Sequence, residues 1–550
     1  MTYKDLADFI FPNITETPED IYKKYPKRDL DEGCEVTRFA PSPTGFMHLG
    51  SFYQALINYV IAKNTNGVFY LRNEDTDQQR EVKGAVELIR KTLDHYEITL
   101  NEYQFEDEIV GNYGPYYQSK RKEIYQVFIK YLISIGRAYP CFATKEELEE
   151  LRTSQEKAKI RTGYYGRYAR YKDIKPEEAI ARIKNGEKYV IRFKSQGNFE
   201  EKFKFIDEVR GLLFLSQNDE DFVIMKSDNG LPTYHFAHVV DDTLMHTTTV
   251  VRGEEWLSSA PKHIELFEAL NVKAPKYIHT PLIVKKEGNS VRKLSKRKDP
   301  EATMSFYEEK GYPTLAVIES LMTIINSNYE EWHTANPDKS FKEFIFNPKK
   351  MSASGGAMFD VEKLNNISKD IISKMTKEEL SFNAYEWAKK YSEELKNIIE
   401  QDKTYFENII NIERVQAKPR KDIVYYSDII NQIWYMYDNL FNESKQDYEF
   451  MKITDKEEIR TIADKYIDNY YDSNDDKETW FNKIKSLSEE LGYASNMKEY
   501  KQNPDNFKGS VADISTVLRV AITKKSQTPD LYEIMKLLGK ERMKERISRI

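Results

Sequence analysis

The sequence predicts an α/β protein with a parallel sheet in its first half and helices throughout its second half. Residues 35–40 alternate apolar and polar side chains as a strand does, and a proline-rich turn follows at 41–45. From His48 the apolar residues lie on one helical face, and a second strand follows at 68–72. A strand, a turn, a helix and a strand in this order form a βαβ unit, which builds parallel sheets. Beyond about residue 350, apolar residues recur at three- and four-residue spacing, which predicts helices.

Length and composition indicate several globular domains. The chain has 550 residues, of which 40% are hydrophobic and 31% charged, and its formal net charge is −7. At about 150 residues per domain, we expect about three to four domains. The negative net charge excludes a protein that holds nucleic acid through bulk charge, so any such binding must use local basic patches. Two cysteines exclude a disulfide framework and a four-cysteine zinc site.

The sequence also allows an expectation about the cellular compartment of the protein. It shows no basic segment followed by an apolar core near Met1, and the most apolar stretch, around 315–325, is interrupted by Glu319. We therefore expect a cytoplasmic protein without a membrane span.

The turn at 41–50, between the first strand and the first helix, is the first candidate site. Ligands of open α/β sheets bind at the carboxyl ends of strands, and a helix N-terminus there offers unpaired N–H groups to phosphates. His48 can donate to a phosphate oxygen, and Gly50 lets a flat ligand approach the backbone. A rigid turn with a structural histidine is an equally good interpretation of these residues alone.

The basic stretch Lys285–Lys298 is the second candidate site. Seven basic residues there face one acid, Glu287, which gives the stretch a charge of +6. A solvated surface loop would account for it. Alternatively, its lysines form a mobile clamp that neutralises charge developing on a leaving pyrophosphate.

Together, the two motifs resemble those of class I aminoacyl-tRNA synthetases. His48-Leu49-Gly50-Ser51 corresponds to the His-Ile-Gly-His element of that family, and Lys293-Leu294-Ser295-Lys296-Arg297 to its Lys-Met-Ser-Lys-Ser element. More narrowly, the chain resembles the bacterial-type glutamyl-tRNA synthetases. The other resembling blocks are 38–50, 71–77, 114–119, 231–242, 251–256 and 538–542.

The resemblance implies a Rossmann-like parallel-sheet catalytic domain, an inserted α+β domain that binds the acceptor end of tRNA, and an all-α anticodon-binding region. The expected boundaries are 1–33 for an N-terminal helical extension, 34–115 and 236–290 for the catalytic domain, 116–235 for the inserted domain, 291–370 for a stem-contact domain with the Lys-Leu-Ser-Lys-Arg loop, and 371–550 for the anticodon-binding region.

The implied reaction ligates L-glutamate to tRNA(Glu) through a glutamyl-adenylate. ATP, L-glutamate and tRNA are the expected substrates, with Mg²⁺ accompanying ATP. Such chemistry calls mainly for positioning and charge neutralisation, so no protein nucleophile is expected. The zinc-binding cysteine cluster of some relatives is missing, because residues 139–171 contain only Cys141, and we expect no zinc. Family members are usually monomers, and we expect a monomer.

The resemblance also assigns site residues. The glutamate-binding residues would be Arg38, Ala40, Ser42, Glu74, Tyr234, His238 and Arg252; the catalytic residues His48, Lys293 and Lys296; and the ATP-binding residues His48, Gly50, Glu255 and Lys296. A guanidinium fits a carboxylate and rejects a neutral amide. Glu74 would take the substrate ammonium, although a helix-capping role is open. His238 stands where relatives often carry asparagine.

Six arginines are candidate tRNA contacts. They are Arg161, Arg167 and Arg170 in the inserted domain, and Arg414, Arg420 and Arg519 in the helical half. The first three are interleaved with Tyr164, Tyr165, Tyr168 and Tyr171, a pattern that suits backbone contact with base stacking. Ordinary packing would also account for tyrosines in a chain that has 38 of them.

Two alternative functions stay open at this point. A glutaminyl-tRNA synthetase is disfavoured by the Pro-Ser-Pro-Thr-Gly turn, by Arg252 and by the helical second half. A catalytically inactive, synthetase-like RNA-binding protein is disfavoured by the intact His48, Lys293 and Lys296.

Overall fold

The computed structural model describes residues 1–43, 45–77, 82–353 and 355–550. They form two compact units, one of Met1–Tyr307 with Ile318–Asp360, the other of Glu308–Val317 with Val361–Ile550. The first unit contains α/β structure and the second is helical, as the sequence predicts. The five predicted domains are a finer division, and their boundaries stay predictions.

The strands are numbered in chain order. They are β1 (Val36–Phe39), β2 (Val68–Leu71), β3 (Tyr103–Phe105), β4 (Glu108–Val110), β5 (Ala138–Cys141), β6 (Val190–Phe193), β7 (Lys202–Asp207), β8 (Gly211–Ser216), β9 (Val223–Met225), β10 (Thr249–Gly253), β11 (Lys276–Thr280), β12 (Ile283–Glu287), β13 (Ser290–Lys293) and β14 (Ala357–Met358).

The α-helices up to residue 335 are α1 (Tyr3–Ile10), α2 (Pro18–Lys24), α3 (Leu49–Asn64), α4 (Ala85–His95), α5 (Lys122–Ser134), α6 (Lys145–Lys157), α7 (Pro176–Lys184), α8 (Tyr234–Leu244), α9 (Ala260–Ala269), α10 (Met304–Lys310), α11 (Thr314–Ile325) and α12 (Tyr329–Ala335).

The remaining α-helices are α13 (Val361–Lys374), α14 (Lys377–Tyr391), α15 (Glu393–Gln401), α16 (Lys403–Ile410), α17 (Ile429–Ile433), α18 (Asp438–Glu443), α19 (Lys456–Lys465), α20 (Lys477–Glu490), α21 (Met497–Gln502), α22 (Val511–Thr523) and α23 (Leu531–Ile547). Gly539, at φ 75°, interrupts α23 with a backbone conformation that glycine adopts without strain.

Four buried parallel strands carry the candidate site. β1 pairs with β2, and β10 pairs with β11. The two pairs meet where the amide of Thr248 donates to the carbonyl oxygen of Val36 at 3.0 Å. Parallel strands that are covered on both faces need apolar side chains on both, and these four are buried almost throughout. Their carboxyl ends bring Arg38, Arg72 and Arg252 to one edge.

Helix α3 starts at the first candidate loop and packs on these strands. The predicted apolar face, which includes Leu49, Phe52 and Leu56, is buried. In fact the helix is buried nearly all round, because it contacts β1, β2 and β10. This packing fixes the N-terminus of α3 at the carboxyl ends of the strands.

The N-terminal extension is part of the first unit. Capping boxes start α1 at Thr2 and α2 at Thr17, and α2 ends at Lys24, two residues before Pro26. Leu6 and Ile21 are 1% exposed and belong to the same apolar core as helix α5. The extension therefore stabilises the unit that holds the candidate site.

The second unit has its own core, built from apolar side chains of most of the helices between α13 and α23. Leu380, Phe406, Ile462 and Ile534 are fully buried there. Within the described ranges, none of the helices combines the length and the apolar character that a membrane crossing requires.

Arg28 offers a test of the extension's role in stability. Its guanidinium binds both carboxylate oxygens of Glu102 (2.6 and 2.9 Å) and stacks over the ring of Tyr113 at 3.8 Å. We expect Arg28→Met to lower the free energy of unfolding by about 3 kcal/mol, since it leaves the largely buried Glu102 without its cation. Lys23→Met, at an exposed ion pair with Asp20, should change it by less than about 0.5 kcal/mol. Thermal unfolding of the full chain checks this, and equal effects of the two variants would contradict it.

Candidate active site

A pocket of about 210 Å³ lies where the first candidate loop faces the second. His48, Gly50, Gly253, Glu255 and Lys293 all line it. A Cβ at Gly50 would meet only the His48 ring, at 3.5 Å, so the backbone there is open to a ligand. At Gly253 a Cβ would lie 2.2 Å from the Glu255 carboxylate, so the glycine lets this flexible side chain lie against the end of β10.

His48 is the N-cap of α3 and is fixed in one tautomer. Its Nδ1 accepts a hydrogen bond from the amide of Gly50 at 3.1 Å, so the proton of the neutral ring is on Nε2. Burial lowers the pKa of His48 to about 4, with smaller contributions from Lys296 and Lys293. The side chain is therefore a neutral N–H donor at physiological pH.

The basic loop is held in place by Asp299. Arg292 donates to both of its carboxylate oxygens (2.7 and 2.8 Å), and the amide of Ser295 donates to one of them at 2.9 Å. The hydrogen bonds from Arg292 are the main reason why the pKa of Asp299 lies well below its ordinary value. Lys296 donates to the carbonyl oxygen of Phe46 at 2.9 Å, so the loop reaches the first motif. The residues that are predicted to bind ATP therefore lie close to one another.

Two of the three arginines at the strand ends are neutralised by carboxylates. Arg38 and Arg72 both donate to Asp242, at 3.2 and 2.6 Å, and Arg72 also donates to Glu74 at 3.0 Å. Burial acts to raise the pKa of Asp242, but Arg38 and Arg72 outweigh it and hold the pKa well below its ordinary value. Removing one partner of such a buried set costs about 3–5 kcal/mol.

Arg252 is different, because its partners are histidines. Its Nε lies 3.0 Å from His279 Nε2 and its Nη1 lies 2.9 Å from His263 Nδ1, while the guanidinium stacks over Tyr277 at 4.6 Å. Its Nη2 is buried and has no hydrogen-bond partner among the residues that the structure describes. The described residues place no carboxylate within 4.0 Å of this guanidinium. A buried cation with a vacant donor is a good partner for an anionic ligand.

The other predicted glutamate-binding residues surround these arginines. Burial raises the pKa of Glu74, outweighing the effect of Arg72 and Arg38. The ring of Tyr234 packs on Trp256 with centroids 4.3 Å apart. Burial raises the pKa of the Tyr234 hydroxyl, and the nearby Arg252 offsets part of this rise. Ala40 is half-buried and Ser42 is exposed, and both directly follow β1.

His238 is not an open donor at this site. It is fully buried, its Nδ1 lies 2.6 Å from Asp242 Oδ2, and its ring stacks on Tyr234. His238 therefore supports the ring of Tyr234 and the carboxylate of Asp242, and its expected contact with substrate stays a prediction.

The three arginines of the inserted segment are exposed, with local partners. Arg161 pairs with Asp219 and stacks on two rings, Arg170 pairs with Glu147 at 2.9 Å, and Arg167 contacts the Tyr168 hydroxyl at 2.9 Å. The interleaved tyrosines divide into two kinds. Tyr164 and Tyr171 are buried packing residues, whereas Tyr165 and Tyr168 are half-buried.

The arginines of the helical unit are less accessible. Arg414 is 6% exposed and donates to carbonyl oxygens at the end of α13, which corrects its expected role as a tRNA contact. Arg420 pairs with Asp422 at 2.9 Å, with only 11% of its side chain exposed. Arg519 donates to the carbonyl oxygens of Thr528 and Pro529, both at 3.1 Å. Of these three, only Arg414 is buried, and it cannot reach a phosphate at the surface, whereas Arg420 and Arg519 are partly exposed.

Several residues of the site are not among those predicted from the sequence. Asp241 and Asp242 lie next to each other on α8, and Asp241 binds Arg121 at 2.7 Å. His263 and His279 hold Arg252 from α9 and β11. For His279, its position near the carboxyl end of a strand is the sequence feature that could have indicated a role in the site. Over the described ranges, no group of three or more His, Cys, Asp or Glu side chains is arranged to hold a metal.

Two family models match the chain. The model for the catalytic domain of the class I tRNA synthetases (E and Q) matches residues 35–366, and the model for an anticodon binding domain matches residues 379–550. The first contains both candidate motifs and the arginine cluster.

Relatives match over the full length. A glutamate–tRNA ligase from Clostridium perfringens (strain 13 / Type A) is 49% identical and one from Acetivibrio thermocellus is 47% identical, each covering 100% of both chains. The crystal structure of a glutamate tRNA ligase from Elizabethkingia meningosepticum, in complex with its amino acid, has a TM-score of 0.76 at 26% identity, covering 94% of this chain and 99% of that one. These matches confirm the predicted fold class, and the chain belongs to the class I tRNA synthetases of the E and Q group.

Proposed function

We propose that this chain is a glutamate–tRNA ligase. In the first step, the α-carboxylate of glutamate attacks the α-phosphorus of ATP, which forms glutamyl-adenylate and releases pyrophosphate. In the second step, the 2′-hydroxyl of the terminal adenosine of tRNA attacks the activated carbonyl and releases AMP. The full-length relatives at 47–49% identity carry that name, which supports the assignment.

The observation that carries the proposal is the buried guanidinium of Arg252. A site that holds a cation away from water favours a carboxylate over a neutral amide by several powers of ten, because the amide leaves the buried charge without a counter-ion. Arg252 is 4% exposed, and it directly precedes Gly253, which lines the pocket. The side-chain carboxylate of glutamate would accept from the vacant Nη2, and Tyr234 would lie beside it.

The predicted ATP residues have complementary roles. The Nε2–H of His48 would donate to a phosphate oxygen, and the lysine ammonium groups would neutralise the charge that develops on the leaving pyrophosphate. An ammonium has three donors, so Lys296 can keep its bond to Phe46 and still reach a phosphate. Gly50 and Glu255 would flank the nucleotide, since both line the pocket.

ATP would enter as its magnesium complex. Mg²⁺ keeps several waters and is held mainly by substrate phosphates with few protein carboxylates, so a dedicated cage is not required. The exposed Glu255 carboxylate beside the pocket fits this kind of outer contact. The ion would help to neutralise phosphate charge, while the protein groups position the reactants.

Glu74 would bind the α-ammonium group of glutamate. Its carboxylate already accepts one bond from Arg72 at 3.0 Å, and a second oxygen stays available. Binding a cation would favour the charged carboxylate, against the effect of burial on its pKa. The absence of zinc, the monomeric state and the cytoplasmic location stay predictions.

Arg161, Arg167 and Arg170 are proposed contacts of the tRNA acceptor end, because they are exposed on one short segment. In the helical unit, Arg420 and Arg519 stay candidates, although most of each side chain is occupied by contacts within the protein. A glutaminyl-tRNA synthetase is the second candidate, since the matching family model covers both kinds of enzyme. The uncompensated charge of Arg252 favours glutamate.

Replacing Arg252 tests the choice of substrate. We expect Arg252→Gln to lower kcat/KM for glutamate at least about 100-fold and to narrow the preference for glutamate over glutamine, because the charge is lost but a donor stays. Pyrophosphate exchange in the presence of tRNA measures both. Arg152→Gln on the exposed face of α6 is the matched control, and unchanged discrimination in Arg252→Gln would refute the assignment.

Replacing Lys296 tests the phosphate clamp. Because its charge acts on the developing pyrophosphate, we expect Lys296→Met to lower kcat for adenylate formation about 100-fold with less than about a threefold change in KM for glutamate. Lys273→Met, at an exposed position after α9, should leave both values unchanged. A rise in KM for glutamate with normal kcat would contradict this role.

Charge reversal at Arg167 tests the acceptor-end contact. Its side chain is exposed and hydrogen-bonds to the Tyr168 hydroxyl, so Arg167→Glu should fold normally. We expect KM for tRNA to rise about tenfold at low salt, with a smaller rise at high salt as charges are screened. Arg152→Glu serves as the control in the same segment, and identical tRNA kinetics in both variants would remove Arg167 from the interface.

A further inference from the structure

The site treats one arginine unlike its neighbours. Arg38 and Arg72 each have a carboxylate partner, Asp242, and Arg72 also binds Glu74. Arg252 has two imidazole partners instead. A carboxylate would cancel the charge of the guanidinium, whereas a neutral imidazole fixes its geometry and leaves the charge in place.

The hydrogen bonds define the tautomers of both histidines. Arginine can only donate, so both imidazole nitrogens that face Arg252 must be unprotonated acceptors. The proton of His279 is therefore on Nδ1, which donates to Asp207 Oδ2 at 2.7 Å. The proton of His263 is on Nε2, which donates to His235 Nδ1 at 3.0 Å. Each histidine is thus held from behind by a further partner.

These histidines are kept neutral by their surroundings. Burial lowers the pKa of His279 and places that of His263 well below its ordinary value, with Arg252 acting in the same direction. Burial also lowers the pKa of His235 to about 4. A protonated imidazole here would lose its acceptor and place a second positive charge beside the guanidinium.

We propose that His263 and His279 are positioning residues that hold Arg252 by neutral acceptors and so preserve its full charge for the side-chain carboxylate of the substrate. Asp207, which is fully buried on β7, acts through His279 by fixing its tautomer. This inference rests on the proposed function and deepens it, because it assigns selectivity for the acid over the amide to residues that do not contact the substrate.

The matched pair His263→Gln and His263→Glu separates geometry from charge. Both side chains have the same length and can accept from Arg252, but only glutamate brings a carboxylate. We expect His263→Gln to keep kcat/KM for glutamate within about fivefold of the unaltered protein. His263→Glu should raise KM for glutamate about 100-fold, change kcat far less, and lower the ratio of glutamate to glutamine activation about 100-fold, because the guanidinium becomes neutralised.

A third variant tests the need for an acceptor. His263→Leu is similar in bulk but cannot accept, and we expect a rise of about 10- to 100-fold in KM for glutamate with KM for ATP unchanged. His95→Gln, at the end of α4, is the histidine control and should behave as the unaltered protein. Pyrophosphate exchange with tRNA present gives all values, and thermal unfolding confirms that each variant is folded.

The outcomes distinguish the two proposals. If the unaltered protein activates glutamate and His263→Glu retains its KM and its selectivity, the role of the histidines is wrong while the function stands. If the unaltered protein does not activate glutamate, the proposed function itself fails. A drop in kcat of equal size in the Gln and Glu variants, with KM unchanged, would also overturn the positioning role.

Discussion

The site depends on the buried guanidinium of Arg252, which pairs with none of the carboxylates in the described part of the chain. Removing an ion from water is costly unless it is paired, and proteins normally pair buried arginines with carboxylates. Arg38 and Arg72 follow this rule through Asp242, but Arg252 is held by His263 and His279. The folded protein already bears the desolvation cost of the buried Arg252, and an anionic ligand that binds Arg252 offsets this cost. The site is therefore preorganised for a carboxylate.

The sheet provides the rigidity that such a site requires. Arg38, Arg252 and His279 lie at or near the carboxyl ends of neighbouring parallel strands, where small shifts of the backbone are resisted by the ladder of hydrogen bonds. The inserted segment contributes as well, because β7 pairs with β11 at Asp207 and Tyr277. Part of the segment that the sequence links to tRNA thus also supports the arginine that is proposed to select the amino acid.

Local features of the fold could be predicted from the sequence, and features that depend on tertiary packing could not. The strand at 36–39 and the start of α3 after His48 depend on neighbouring residues, so the sequence pattern predicted both. The partnership of Arg252 with His263 and His279 needs three separate elements to meet. Arg414 is a case in which the sequence misleads. An arginine is normally exposed, but the folded chain buries this side chain against the end of α13.

The selectivity of the unaltered protein for glutamate over glutamine tests most directly whether the charge of Arg252 selects the substrate. Pyrophosphate exchange should be measured for both amino acids with tRNA present, at one pH and one salt concentration. We expect kcat/KM for glutamate to exceed that for glutamine by a factor of about 10³ or more, since the amide cannot satisfy the charge of Arg252. Comparable values for the two amino acids would contradict it.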